Sequence, residues 1–317
     1  MFYKLLSVLF LVSSLYAASI NQPTQSMQTS GFVVDLVVHD GKLYCATDAS
    51  NLDIFDIESK QLLNKIKVEQ ITDFMGDIID SKIYSVDVVD DMIMILSQGE
   101  KGARRVHIYQ DKKLELIIPY TDGLFIAKAK FLDKDTLMLG LLSNEIISYD
   151  LKNKKQNYKV QVSQSKFSDF VLIEDKTRVV VADESGNLKI HNTADGSFSK
   201  MLGGQNLDNV FQVDSKKGII ATAGQDRKTV VYNINNGSNY YKMANFLIYS
   251  VAISPSAELI AYSSDEEGNV EIFKVSTHAT VGYFGGNKGT ISKILFLNEN
   301  EFFIASDSTT LNYYKIK

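Results

Sequence analysis

The sequence predicts an all-β fold of seven repeated units, and three observations carry that prediction. After residue 30 the chain is a succession of short runs in which apolar and polar residues alternate, among them VVDLVV, KLYCAT, MIMIL, TLMLGLL and RVVVAD. Alternation with a period of two is what a strand with one buried face requires. An aromatic residue, or a histidine in its place, recurs near the end of one strand in each unit. These anchors are Phe55, Tyr109, Tyr149, His191, Tyr232, Phe273 and Tyr314, at spacings of 54, 40, 42, 41, 41 and 41. A small residue stands nine positions before six of them, at Ala46, Gly140, Ala182, Ala223, Ser264 and Ala305. In the second unit Ser97 stands twelve before Tyr109.

The runs are separated by Asp, Asn, Gly, Ser and Lys clusters suited to tight turns. No window keeps an apolar period of 3.6 with helix caps. A repeat near 41 residues built wholly from strands implies four-stranded antiparallel blades, and hence a seven-bladed β-propeller. Seven blades of about 42 residues consume about 294 residues, so the arithmetic leaves no second domain. The last unit, ISKILFLNENEFFIASDSTTLNYYKIK, has three strands. Residues 19–30 are expected to supply its missing outer strand, closing the ring with the N- and C-terminal strands and leaving no open blade edge.

The elements follow in chain order. The N-terminus, MFYKLLSVLFLVSSLYAASI, has a basic residue at Lys4, an apolar run over 5–15 and small residues at Ala17 and Ala18. This pattern predicts a secretory signal peptide over 1–17, with a mature exported domain over 18–317 in the periplasm. The run is short of the roughly 20 residues a membrane span needs, and an uncleaved anchor is the alternative. No cysteine follows it to carry a lipid. Cys45, the single cysteine, lies in the alternating run KLYCATD and is expected to be buried as a small hydrophobe. One cysteine excludes an intrachain disulfide, a Cys-based zinc site and a CxxCH haem attachment.

The second unit is irregular. Its first spacing exceeds the repeat by 13, with about ten extra residues in EQITDFMGDIID (69–80) and about three more in SQGEKGARRVHIY. In a propeller the connection from one blade's outer strand to the next inner strand opens on the same face as the turn between second and third strands. The two extensions are therefore expected side by side on one rim. One carries Ile71, Phe74, Met75, Ile78 and Ile79, the other Lys101, Arg104 and Arg105. Apolar anchors flanked by Arg and Lys have the composition of a protein-binding patch. We single out Ile71, Phe74, Met75, Lys101, Arg104 and Arg105 as the candidate partner-binding rim. In the competing arrangement Ile78 and Ile79 extend an inner strand and Phe74 caps a neighbouring blade.

The later units carry a family resemblance. The sixth, IYSVAISPSAELIAYSSDEEGNVEIFKV, contains ISPSAELIA, which resembles an SPDG turn followed by a strand, and DEEGNVEIF, which resembles a D-G-x-V-x-V-W segment. The fourth and fifth units match in the same places. Gly203-Gly204 and Gly285-Gly286 stand where a Gly-His pair often stands. The chain thus resembles a divergent WD-repeat propeller over residues 31–317. It departs from that family in having no Trp, and in keeping the WD dipeptide's Asp only at Asp56 and Asp150. The His–Ser–Trp–Asp network of typical blades is therefore expected to be absent. As an exported, unlipidated, single-domain propeller rich in Ile, Lys and Asn, it is also similar to the accessory propellers encoded with periplasmic nitrate reductase in epsilon-class proteobacteria, the NapL family. That resemblance implies a non-catalytic periplasmic factor acting on assembly of, or electron delivery to, the reductase. It carries over no functional residues.

Signatures of chemistry are sparse. The charge of −5, from 33 Lys and Arg against 38 Asp and Glu, is a poor match to nucleic acid, whose phosphates call for clustered cations. His39, His107, His191 and His278 share no ligand spacing. His191 is expected to replace a blade aromatic, and the others to lie on the surface or in turns. No GxSxG elbow or GxGxxG fingerprint occurs, and FGGNKGT reads as an inter-blade turn. The carboxylates near Asp73, Asp87 and Asp265 lack the DxDxDG pattern of a calcium loop. The sequence thus predicts a non-enzymatic protein-interaction platform with no stoichiometric cofactor and no catalytic or metal residues. Its expected partner is a protein, with nitrate reductase or its electron donors the leading choice. A propeller hydrolase or lactonase with a metal in the central channel is the alternative enzyme. An outer-membrane assembly propeller fits less well, since those resemble eight-bladed lipoproteins.

Overall fold

The computed structural model describes residues 19–317, and the signal peptide expected over 1–17 lies outside the described residues. Seven antiparallel blades of four strands form a ring. The first blade comprises Val33–His39, Lys42–Thr47, Asn51–Asp56 and Leu62–Lys67. The second comprises Ile83–Val89, Met92–Gln98, Arg104–Gln110 and Lys113–Ile118. In the seventh, Ile291–Asn298, Glu301–Ser306 and Thr310–Lys315 are completed by Gln25–Gln28, which pairs antiparallel to the last strand. The chain ends thus close the ring as the sequence predicts. One further strand, Ile20–Asn21, adds in parallel to Thr280–Phe284 at the edge of blade six. Two residues carry no readable alternation, which is why the sequence does not announce it. The N-terminal segment therefore ties two neighbouring blades together.

The hydrophobic core is divided into seven clusters, each filling the gap between two adjacent blades. Leu36, Leu43, Cys45 and Phe55 of blade one pack on Phe303, Leu311 and Tyr313 of blade seven. Cys45 is buried there, and burial pushes its thiol well above its ordinary pKa. A blade alone would expose both sheet faces, so stability is a property of the ring. The marker Gly140 sits where a neighbour crosses closely: a Cβ there would stand 2.7 Å from the ring of Phe167 in the next blade. His191 takes the aromatic's place, edge-on to Phe198 at 5.6 Å. His107 differs from the surface or turn position expected of it. It is buried in the third strand of blade two, and burial together with Arg105 lowers its pKa to about 4.

The polar ties of the WD pattern are rebuilt rather than lost. In blade five, Thr222 Oγ1 donates to Asn206 Oδ1 at 2.8 Å and Asn206 Nδ2 donates to Asp226 Oδ1 at 3.0 Å. Asn206 follows Gly203-Gly204 by two residues. An amide can both donate and accept, so it bridges strand and turn without His or Trp.

Candidate functional site

Two regions concentrate polar or apolar groups in ways the repeat alone does not demand. The first is the central channel. The inner strands of neighbouring blades diverge, so no backbone ladder joins them, and side chains take over that role. In six blades the third residue of the inner strand is polar, and in the sixth blade Ser250, just before the inner strand Val251–Ile253, takes that role; these side chains reach neighbouring blades. Asp35 Oδ2 accepts the N–H of Val86 at 3.2 Å, Asp169 Oδ2 that of Val213 at 3.1 Å, and Ser250 Oγ that of Ile294 at 3.1 Å. Two residues further along, Asp87 accepts from Phe131 N and Asp214 from Ile253 N, both at 2.8 Å.

Lysines neutralise this ring. Lys130 Nζ lies 3.0 Å from Asp35 and also donates to Val86 O at 2.7 Å; Lys293 Nζ lies 3.5 Å from Asp35. Lys128 pairs with Asp169 at 2.6 Å. Burial alone would raise the pKa of Asp35, but the ammonium groups of Lys130, Lys293 and Lys128 outweigh it and hold the carboxyl well below the usual range. The channel carboxylates are thus engaged by lysines and backbone amides. Among the described residues no three His, Cys, Asp or Glu side chains converge as metal ligands.

The second region is the rim over blades one and two. Residues 71–79 form a small hairpin in which Ile71 pairs with Ile79 and Thr72 with Ile78. Its tip is set by Asp73, whose Oδ1 accepts the N–H groups of Met75 at 2.8 Å and Asp77 at 2.9 Å. Gly76 turns the chain with φ of 92°, a conformation that costs glycine nothing. This local closure throws Phe74 and Met75 outward. Phe74 is 95% exposed, Met75 73% and Ile78 74%. Ile78 and Ile79 pair with their own hairpin rather than extending an inner strand, and Phe74 does not cap a neighbouring blade.

The hairpin is stapled at its base. Arg105, 6% exposed, donates from Nη2 to Glu69 O at 2.6 Å and to Ser81 Oγ at 3.1 Å. Ser81 in turn donates from Oγ to Gln98 O at 2.8 Å, and its N–H donates to Ser50 Oγ at 2.7 Å. Arg104 lies 4.0 Å above the ring of Tyr84, a cation–π arrangement that keeps its charge inward. Lys101, at φ 56°, is exposed on the facing turn Gly99–Gly102. Hairpin and turn enclose a groove of about 590 Å³ floored by Ile71 and walled by Phe74, Ile79, Gly99 and Gly102.

Of the six rim residues singled out from the sequence, Phe74, Met75 and Lys101 thus face solvent. Ile71 floors the groove, Arg105 anchors the hairpin, and Arg104 is half-buried against Tyr84. Burial decided this division, and alternation cannot report it in an insertion. The sequence also gave no sign that Phe32, Phe125 and Leu207 are exposed on the same face, each in a connection between blades. The turns of the opposite face hold none of the exposed large apolar side chains among the described residues.

No protein-family model matches the chain, and no curated protein matches it. Among solved structures, it is similar to a chain of the mitotic checkpoint complex, with a TM-score of 0.76 at 14% identity, covering 100% of this chain and 98% of that one. At that identity the likeness is one of fold: a seven-bladed propeller along its whole length.

Proposed function

We propose that the protein is a non-catalytic interaction platform that captures a protein partner on the rim formed by residues 69–80 and 99–102. The observation that carries this reading is the exposure of Phe74, Met75 and Ile78 on a hairpin held in place by a buried arginine. Exposed apolar groups on an unpaired loop would be unremarkable; on a paired hairpin tied at its base beside a groove, they are placed for burial. Covering three side chains of this size contributes on the order of 5 kcal/mol before the costs of association. The sequence resemblance supplies the finer proposal: an exported accessory factor of periplasmic nitrate reductase, acting on the reductase or its electron donors. The engagement of every channel carboxylate named above by a lysine or a backbone amide supports a structural channel rather than a hydrolytic one.

The test is affinity capture. The mature protein, tagged at its C-terminus, is recovered from the periplasm of nitrate-grown cells beside a Phe74→Ser, Met75→Ser variant. Reductase or electron-donor proteins recovered with the parent and lost with the variant are the expected result. The same proteins recovered with both would move the binding surface elsewhere. No reproducible partner with either would remove the platform reading.

A further inference from the structure

The charge the rim presents to solvent is opposite in sign to that of Arg104 and Arg105, the basic residues the sequence brings forward. Arg105 is buried and Arg104 is turned onto Tyr84, so neither guanidinium is presented outward. The carboxylates behave differently. Glu100 lines the groove and is half-buried, and Asp77 is exposed on the hairpin that walls it. Among the described residues neither side chain takes part in a salt bridge. Asp80 is exposed and bonded only to the neutral Ser50 and Gln70. The side chain of Glu69 is 90% exposed, with one long contact of 3.6 Å to Arg105. Against these stand Lys101 and the half-buried Lys82, which lies 5.5 Å from the ring of Tyr84. With Asp73, which also lines the groove, five carboxylates stand against Lys82, Lys101 and the two inward-turned guanidiniums, so the rim carries a small excess of negative charge and most of its carboxylates face solvent.

Resting on the platform reading above, we propose that this groove takes a basic amphipathic segment of a partner protein: one or two large apolar side chains seated beside Phe74 and Met75, with flanking Lys or Arg meeting Asp77, Asp80 and Glu100. Charge decides among the possible occupants. A second copy docking through a two-fold axis would set these carboxylates against their own copies, and like charges facing one another across an interface are costly. An anionic lipid surface would be repelled for the same reason. A basic segment gains both apolar burial and electrostatic steering.

The test uses the mature full-length protein and three labelled peptides that share one Leu-Phe anchor and differ in flanks of Lys, Gln or Glu. Binding is followed by fluorescence anisotropy. The Lys peptide is expected to bind at least tenfold tighter than the Glu peptide at low salt. That advantage shrinks as salt rises and screening shortens. Asp77→Lys with Glu100→Lys is expected to abolish the preference, and Phe74→Ser with Met75→Ser to abolish binding of all three. Equal affinity for the three peptides would overturn the charge inference while leaving the platform standing. Binding to none of them overturns the inference, and capture of cellular proteins then decides the platform reading separately. Two further outcomes would also overturn it: sedimentation showing a dimer that Phe74→Ser dissolves, which assigns the groove to a second copy, and flotation with neutral phosphatidylcholine vesicles, which assigns it to lipid.

Discussion

The channel and the rim treat unsatisfied chemistry in opposite ways. In the channel, Asp35 serves Val86 N, Lys130 and Lys293 at once, and neighbouring carboxylates are similarly engaged. At the rim, Phe74 and Met75 are held almost wholly in water although a groove lies beside them. A buried group without a partner destabilises the fold, so the channel is completed internally. An exposed apolar group costs the folded state little, since it is equally exposed on unfolding. It can therefore remain available to another molecule. Charged residues in the middle of a protein are thus no sign of chemistry when every one is answered, whereas apolar residues at an edge call for an explanation.

The largest expected effect breaks the channel. Asp35→Ala removes the carboxylate shared by Lys130 and Lys293 and leaves partly buried ammonium groups without it, which costs about 3–5 kcal/mol. Denaturant unfolding measures it, and a loss under 1 kcal/mol would mean the channel is not a structural hub. Partner capture by the molecules that remain folded should be unchanged.

The next effect comes from pH and reports on the buried third strand of blade two rather than on the exposed rim. His107 has its folded pKa lowered to about 4 from an ordinary 6.5, so it is buried neutral. Folding then opposes protonation. The stability this group supports is fully present above pH 6.5 and is lost as pH falls from 6.5 toward 4, by on the order of 2–3 kcal/mol. Unfolding curves at pH 7.5 and 4.5 test this: a His107→Leu variant should show a correspondingly smaller fall than the parent, and an equal fall would assign the acid sensitivity to other groups.

The smallest effect on stability is predicted at the rim. Phe74→Ser should alter the unfolding free energy by no more than about 0.5 kcal/mol, as expected of a surface position, while removing partner capture. A loss above 2 kcal/mol would show that Phe74 packs in the folded protein, and the contrast between the two regions would collapse.

Much of this was legible from residues. The period of 41, the aromatic anchors and the small markers report cores that repeat between blades, and Gly140 under Phe167 shows why a marker must be small. The three-strand seventh unit pointed to closure by residues within 19–30, and Gln25–Gln28 supply the strand. His107 and the short Ile20–Asn21 strand were not legible, because neither breaks or extends a pattern. The rim was legible as an insertion and as two extensions on one face. Its charge was not: Arg104 and Arg105 are adjacent in sequence and alike in chemistry, and only the positions of Tyr84, Ser81 and the Glu69 carbonyl turn both inward.

By itself, then, the sequence determined the number of blades, the strand order within them and the place where the repeat is interrupted, because periodic burial writes itself into residue alternation. The tertiary structure alone decided which polar groups answer one another across the channel and which rim side chains stay free. Those outcomes depend on partners about 20 to 100 residues away in the chain, as Lys130 is from Asp35 and Arg105 from Ser81. Contacts of that range follow from how the blades close into a ring, and no local pattern encodes them.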